Sequence, residues 1–245
     1  MSTLNVASIN SGPIGGFRNA VINGNPTINQ RGYVSGTATS GANQYTLDRW
    51  RVVTSGQSIT WADSANVRTV TAPAGGVEQV VEGINLGTGT YTLSWTGTAT
   101  ATVGGTAIAN GTTVSLTGGV DTTVRFINGT FSLAQLEPGT RATPFERRPI
   151  GTELALCQRY HQIIQSLRLS GYQIAGNEIS APVGYMTTMR AVPTAVVSSF
   201  SLNNVATATV FAINMTTSGG AIGIVAGGTG ILSAVDGTFT LSAEL

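Results

Sequence analysis

The sequence predicts a mainly β protein: an N-terminal β-sandwich or jelly roll, one linking α-helix and a small C-terminal β-sandwich-like domain. Three observations predict it. Only 9% of the 245 residues are charged while Gly numbers 32. With Thr, Ser, Val and Ala filling much of the rest, that composition favours many short strands joined by tight turns. Tyr91, Leu93 and Trp95 alternate with Thr90, Thr92, Ser94 and Thr96, which puts three large side chains on one strand face and makes that face core. A single stretch, about 153–167, breaks the pattern with apolar residues at helical spacing. At 41% hydrophobic residues the chain can furnish a core in one large or two ordinary domains.

The elements follow in order. Residues 1–18 are small, polar and Gly-rich with Pro13, an extended N-terminal arm of the kind that docks on a neighbouring protein. Residues 19–148 read as short strands separated by turn residues, the pattern of a β-sandwich or jelly roll. Asn128-Gly129 between 122–127 and 130–136, and Asn110-Gly111 between 107–109 and 112–116, each predict a hairpin, because Asn-Gly takes the positive φ of a tight two-residue turn. Pro138, Pro144 and Pro149 with the run Glu146-Arg147-Arg148 then mark a domain boundary.

Residues 149–170 are expected to be linker and helix. Leu154, Cys157, His161 and Ile164 form one apolar stripe and Leu156, Tyr160, Ile163 and Leu167 a second, with Thr152 as N-cap and Gly171 as stop. Two stripes need two partners, either both domains of one chain or a domain and an equivalent helix of a second subunit. Residues 171–245 return to β, with strands expected near 173–175, 195–202, 207–214, 221–226 and 231–241 and a turn at Asp236-Gly237.

All twelve basic side chains are Arg, and they nearly balance eleven carboxylates to leave +1, so no whole-protein field steers nucleic acid. So few charges point to a surface partly covered by other subunits, or to one kept soluble by Thr, Ser and Asn. Cys157, the only cysteine, forms no intrachain disulfide and reads as a small buried residue. Residues 1–16 lack the features of a secretory signal and no run is long and apolar enough for a membrane span. Synthesis in a cytoplasm is the expectation.

Three stretches carry a resemblance. The first runs from Asn19 through Gly24-Asn25-Pro26 and Asn29-Gln30-Arg31-Gly32, followed by Tyr45-Thr46-Leu47-Asp48-Arg49-Trp50. The second and most specific is Ala134-Gln135-Leu136-Glu137-Pro138-Gly139 running through Ala142-Thr143-Pro144-Phe145-Glu146-Arg147-Arg148-Pro149-Ile150-Gly151-Thr152-Glu153 to Tyr160. The third is Met189-Arg190-Ala191-Val192-Pro193-Thr194. Together they resemble bacteriophage tail-fibre and tail-associated virion proteins that carry a carbohydrate-binding-module-like jelly roll. The resemblance implies a virion location, a jelly roll for residues 19–148, symmetric homotrimeric assembly, contact with other virion proteins and a role in host attachment.

Chemistry is sparse. His161 is the only histidine, and with Cys157 four residues away it supplies two metal ligands at most. Carboxylate pairs such as Asp48 with Asp63 or Glu78 with Glu82 stand in no aromatic-rich cleft motif. Asp48 and Arg49 read as structural charges in a strand beside the buried anchor Trp50. No catalytic residue, metal or cofactor is expected. For sugar binding, an aromatic face with polar readers is required, and Trp61, Tyr33 and Tyr45 are the candidates, each also a candidate for the core. The functions in view are an adhesion subunit binding host-surface glycan, a purely architectural virion protein of baseplate, tail tip or capsid, and a polysaccharide depolymerase.

Overall fold

The computed structural model describes residues 8, 9, 12 and 13, 16–206 and 210–245. The chain divides into two compact units, Met1–Glu153 and Leu154–Leu245. The first holds β1 (Ser8–Ile9), β2 (Gly12–Pro13), β3 (Gln44–Tyr45), β4 (Arg51–Val52), β5 (Thr60–Ser64), β6 (Val67–Ala72) and β7 (Val77–Val81). It continues with β8 (Gly89–Thr96), β9 (Thr100–Val103), β10 (Thr106–Ile108), β11 (Thr112–Leu116), β12 (Thr122–Ile127) and β13 (Gly129–Pro138). β1 and β2 pair with each other; the rest of the arm expected over 1–18 lies outside the described residues as far as residue 15.

Two antiparallel sheets form the first unit, ordered β10-β9-β12-β7-β4-β3 and β11-β8-β13-β6-β5. The chain changes sheet after β4, β6, β7, β8, β10, β11 and β12, the winding of a jelly-roll sandwich. Val52, Val77, Val124 and Phe126 of one sheet share a core with Val70, Leu93, Phe131 and Leu136 of the other, all fully buried. Tyr91, Leu93 and Trp95 lie in this core, as the alternation in β8 predicts. At its centre Phe126 and Phe131 stack at 4.3 Å with planes 8° apart, Trp95 meets Phe126 edge-on at 5.4 Å, and Trp50 lies 5.0 Å from Phe131. Such offset and edge contacts add to the apolar area that these rings bury.

Both predicted Asn-Gly hairpins are corners instead. β12 pairs with β7 and β9 while β13 pairs with β6 and β8, so Asn128-Gly129 carries the chain from one sheet to the other. The positive φ is there, 47° at Asn128 and 122° at Gly129. A Cβ on Gly129 would come within 2.8 Å of Thr98 Oγ1 and 2.9 Å of Ala99 N. Asn110-Gly111 likewise joins β10 of one sheet to β11 of the other. Asn110 Nδ2 donates to Trp95 O at 2.7 Å and its Oδ1 accepts Trp95 N–H at 3.1 Å, a side chain standing in for a strand partner. Asp48 and Arg49 are buried, but in the turn between β3 and β4 rather than in a strand; Arg49 has φ of 69°.

The helix is shorter than predicted. α1 covers Ile150–Gln158, and the division between the units falls inside it. Residues 161–167, expected in the helix, belong to β14 (His161–Gln173) of the second unit. The physical reason lies in the spacing: residues four apart share a face in a strand as well as in a helix, and the β-branched pair Ile163-Ile164 favours the strand. A thirteen-residue partner completes it. Cys157 and His161, both buried, therefore do not share a helix face.

The second unit continues with β15 (Glu178–Gly184), β16 (Thr194–Ser198), β17 (Ser201–Asn203), β18 (Phe211–Ile213), β19 (Gly219–Val225) and β20 (Gly230–Ser242). β14, β20 and β16 form one sheet, in which β17 also pairs with β20; β15, β19 and β18 form another. Leu169, Leu232, Phe239 and Leu241 from the first share a core with Val183, Ile222 and Ile224 from the second. Of the strand expected at 207–214, residues 207–209 lie outside the described residues. Asp236-Gly237 is no turn: β20 runs through it, with Asp236 at φ 59° where the register against β14 shifts. This is a β-bulge, which needs the same positive φ as a tight turn.

Candidate ligand-binding site

Trp61 and Tyr33 are brought together, with ring centroids 6.0 Å apart, and both pack partly buried against the sandwich core. Trp61 lies on β5 opposite the buried Val70 of β6, so it occupies the inner face of its sheet. Arg68 of β6 places its guanidinium carbon 4.7 Å from the Trp61 ring centroid and holds Asp63 through two contacts of 2.8 Å. That guanidinium keeps the Asp63 carboxyl below the ordinary aspartate value. The Tyr33 hydroxyl accepts Ile59 N–H at 3.3 Å, and burial raises its pKa above the ordinary tyrosine value. The Trp61 ring is thus flanked by Tyr33 and Arg68.

Tyr45 lies on β3, in the other sheet. Arg31 and Arg51 place their guanidinium carbons 5.1 and 5.9 Å from its ring centroid. The three residues predicted from the sequence therefore do not form one platform.

A different place offers more room. A depression of about 400 Å³ is lined by Asn25, Thr27, Asn66, Phe145, Glu146, Arg147, Arg148, Ile150 and Glu153. A second, of about 350 Å³, shares Thr27 and Asn66 with it and runs past Ala65 to Asp63 and Arg68. The β5–β6 turn forms the shared wall, with Ala65 at φ 47° and Asn66 at φ 62°, the pair of positive φ values of a tight hairpin turn. Asn25 clamps that turn: Nδ2 donates to Asn66 O at 2.9 Å and Oδ1 accepts Arg68 N–H at 3.0 Å.

The opposite wall is the proline-rich stretch after β13, held by buried polar side chains. Glu137, fully buried, accepts from Arg18 Nε at 3.1 Å, Thr143 N at 2.8 Å, Thr143 Oγ1 at 2.6 Å and Gln135 Nε2 at 2.8 Å. Glu146 accepts Asn19 N–H at 2.8 Å and donates its own N–H to Gln135 Oε1 at 2.7 Å. Arg148 reaches Glu146 at 3.4 Å and Glu153 at 3.3 Å and donates to Asn19 O. Glu153 in turn accepts Asn23 N–H. A buried carboxylate such as Glu137, and the partly buried Glu146 and Glu153, so fully supplied with donors fix the segment in one geometry.

Sequence reasoning missed this wall because prolines and charges at this density also mark a linker. The signal that could have found it is the set Glu137, Thr143, Glu146 and Arg148, too many mutually complementary polar groups for a spacer.

Glu78, considered as half of a carboxylate pair, is held by Arg51 at 2.7 Å and Arg125 at 2.6 Å. Asp48 takes Gln30 Nε2–H at 3.0 Å. No group of three or more His, Cys, Asp or Glu able to hold a metal ion occurs among the described residues. Compared with known proteins, the chain matches no protein family, no curated protein and no solved structure.

Proposed function

We propose that the chain is a non-catalytic virion subunit of bacteriophage tail-fibre type, whose N-terminal sandwich contributes to attachment at the host surface by holding glycan. The observation that carries this reading is the meeting of the resembling stretches. Asn19 and Asn23 from the first, and Gln135, Glu137, Glu146, Arg148 and Glu153 from the second, join in one polar network although more than a hundred residues separate them in sequence. The network braces one wall of the larger depression. Residues that the resemblance singles out thus shape a place where a ligand fits, which supports attachment over catalysis. Assembly as a homotrimer and contact of the N-terminal arm with other virion proteins belong to the same proposal.

The architectural alternative, a baseplate, tail-tip or capsid protein without ligand, is favoured by one observation: Trp61, the best aromatic platform in the sequence, is flanked by Arg68 and Tyr33. The test is adsorption. Purified chain added in excess to a phage carrying it competes with the particles for host cells and lowers their adsorption if attachment is its role. Undiminished adsorption supports the architectural alternative. New reducing ends after incubation with host polysaccharide would make it a depolymerase.

A further inference from the structure

The two depressions beside the β5–β6 turn divide their lining into groups already engaged and groups left open. Asn25 spends both ends of its amide on the hairpin, and Glu146 and Glu153 are paired with Arg148. These set the shape. Thr27, Asn66 and Arg147 stand exposed at the rim; among the described residues no carboxylate pairs with Arg147, whose guanidinium carbon lies 6.0 Å from the Phe145 ring centroid, at the outer limit of a cation–π contact. The half-buried ring of Phe145 and the side chain of Ile150, 67% exposed, supply the apolar part.

We propose that this groove, rather than Trp61, seats a saccharide chain, with Phe145 and Ile150 under the C–H face of one sugar ring and Asn66, Thr27 and Arg147 taking its polar substituents. The proposal rests on the attachment reading above and names the site at which glycan is held. An aromatic edge with a few open amide, hydroxyl and guanidinium groups is what a pyranose needs, since one face of the ring is C–H and its rim is hydroxyl. Because the depressions share Thr27 and Asn66 and run on toward Asp63, they fit consecutive sugar units of a chain rather than a single one. Arg147, a planar donor fork, suits a ring that carries a carboxylate.

The experiment applies the full purified chain to an array of bacterial capsular and lipopolysaccharide fragments and titrates one bound fragment against variants. Asn66→Gly removes the amide and keeps the hairpin, since Gly accepts the φ of 62°. Arg147→Ala removes an exposed side chain. Each variant is expected to weaken binding about tenfold, the effect of losing one strong hydrogen bond, with the melting temperature unchanged. Trp61→Phe is expected to leave binding as it was. Binding that both groove variants keep within about twofold of the original overturns the site and leaves glycan attachment standing. No fragment bound by the unaltered chain overturns the glycan-attachment reading, and the site with it.

Discussion

Trp95 ties the two sheets of the sandwich together through its edge contact with Phe126, and it is only 8% exposed. Its indole Nε1 is buried with no hydrogen-bond partner among the described residues. A buried donor left unmade costs about 1–3 kcal/mol, so part of what the ring contributes by packing is offset by its own N–H. Two substitutions separate the terms. Trp95→Ala removes ring and donor together and is expected to cost about 3–5 kcal/mol, the range for emptying an aromatic site in a core. Trp95→Phe keeps most of the packing and discards the donor, so its cost is expected to be less than half as large. Urea unfolding with unchanged slope measures both; equal midpoints for the two variants would mean that ring packing at this site carries none of the stability. The burial of this residue was legible from the alternation of β8 alone, because period two admits only one inward face. The unsatisfied nitrogen was not, since it depends on what the opposite sheet presents.

Gly237 shows how the same residue pair serves two elements. A Cβ there would sit 1.8 Å from Phe200 Cζ, so the ring of Phe200 lies directly on the backbone of β20. Gly237→Ala is expected to destabilise the second unit by about 1–3 kcal/mol, as overpacking does. Adding Phe200→Leu to Gly237→Ala is expected to recover part of the loss. Thermal unfolding of the single and double variants checks this, and a double variant no better than Gly237→Ala would rule out the ring contact as the cause.

Asp-Gly and Asn-Gly report positive φ and small size, and the chain uses them for a bulge at 236–237 and for corners at 110–111 and 128–129. Local sequence therefore gave the backbone conformation without the pairing, which is settled by which sheet needs the next apolar side chain. The helix was expected to run too far for a related reason, the four-residue spacing of 161–167 serving a strand equally well. The groove was the least legible of all. It is built from the β5–β6 turn, Asn25 and the stretch around Phe145, and no local pattern announces contacts between stretches so far apart.

At the scale of the molecule, the second unit carries the features that bear on assembly. β14 is thirteen residues long and forms an outer edge of its sheet, paired with β20 alone. Arg168 is the only ionic group of the Arg, Asp and Glu kinds on it. Long edges with so little charge invite pairing with another chain unless something covers them. Tyr172 and its cross-strand partner Ile231 are 69% and 67% exposed, and Ile174 beyond the strand end is 61% exposed. A surface with only 9% charged residues in the whole chain has little else to keep such a patch in water. In the trimer proposal each β14 edge lies against a different surface of the next copy, the head-to-tail contact that closes a three-membered ring and covers all three edges. Sedimentation equilibrium at micromolar concentration is expected to give three times the chain mass of 25.1 kDa. The double variant Tyr172→Asp with Ile231→Asp places two like charges opposite each other on that face, and it is expected to sediment as a monomer with its far-ultraviolet dichroism retained. A stable monomer of the unaltered chain would end the trimer proposal, and a trimer that survives the double variant would move the contact away from the β14–β20 face.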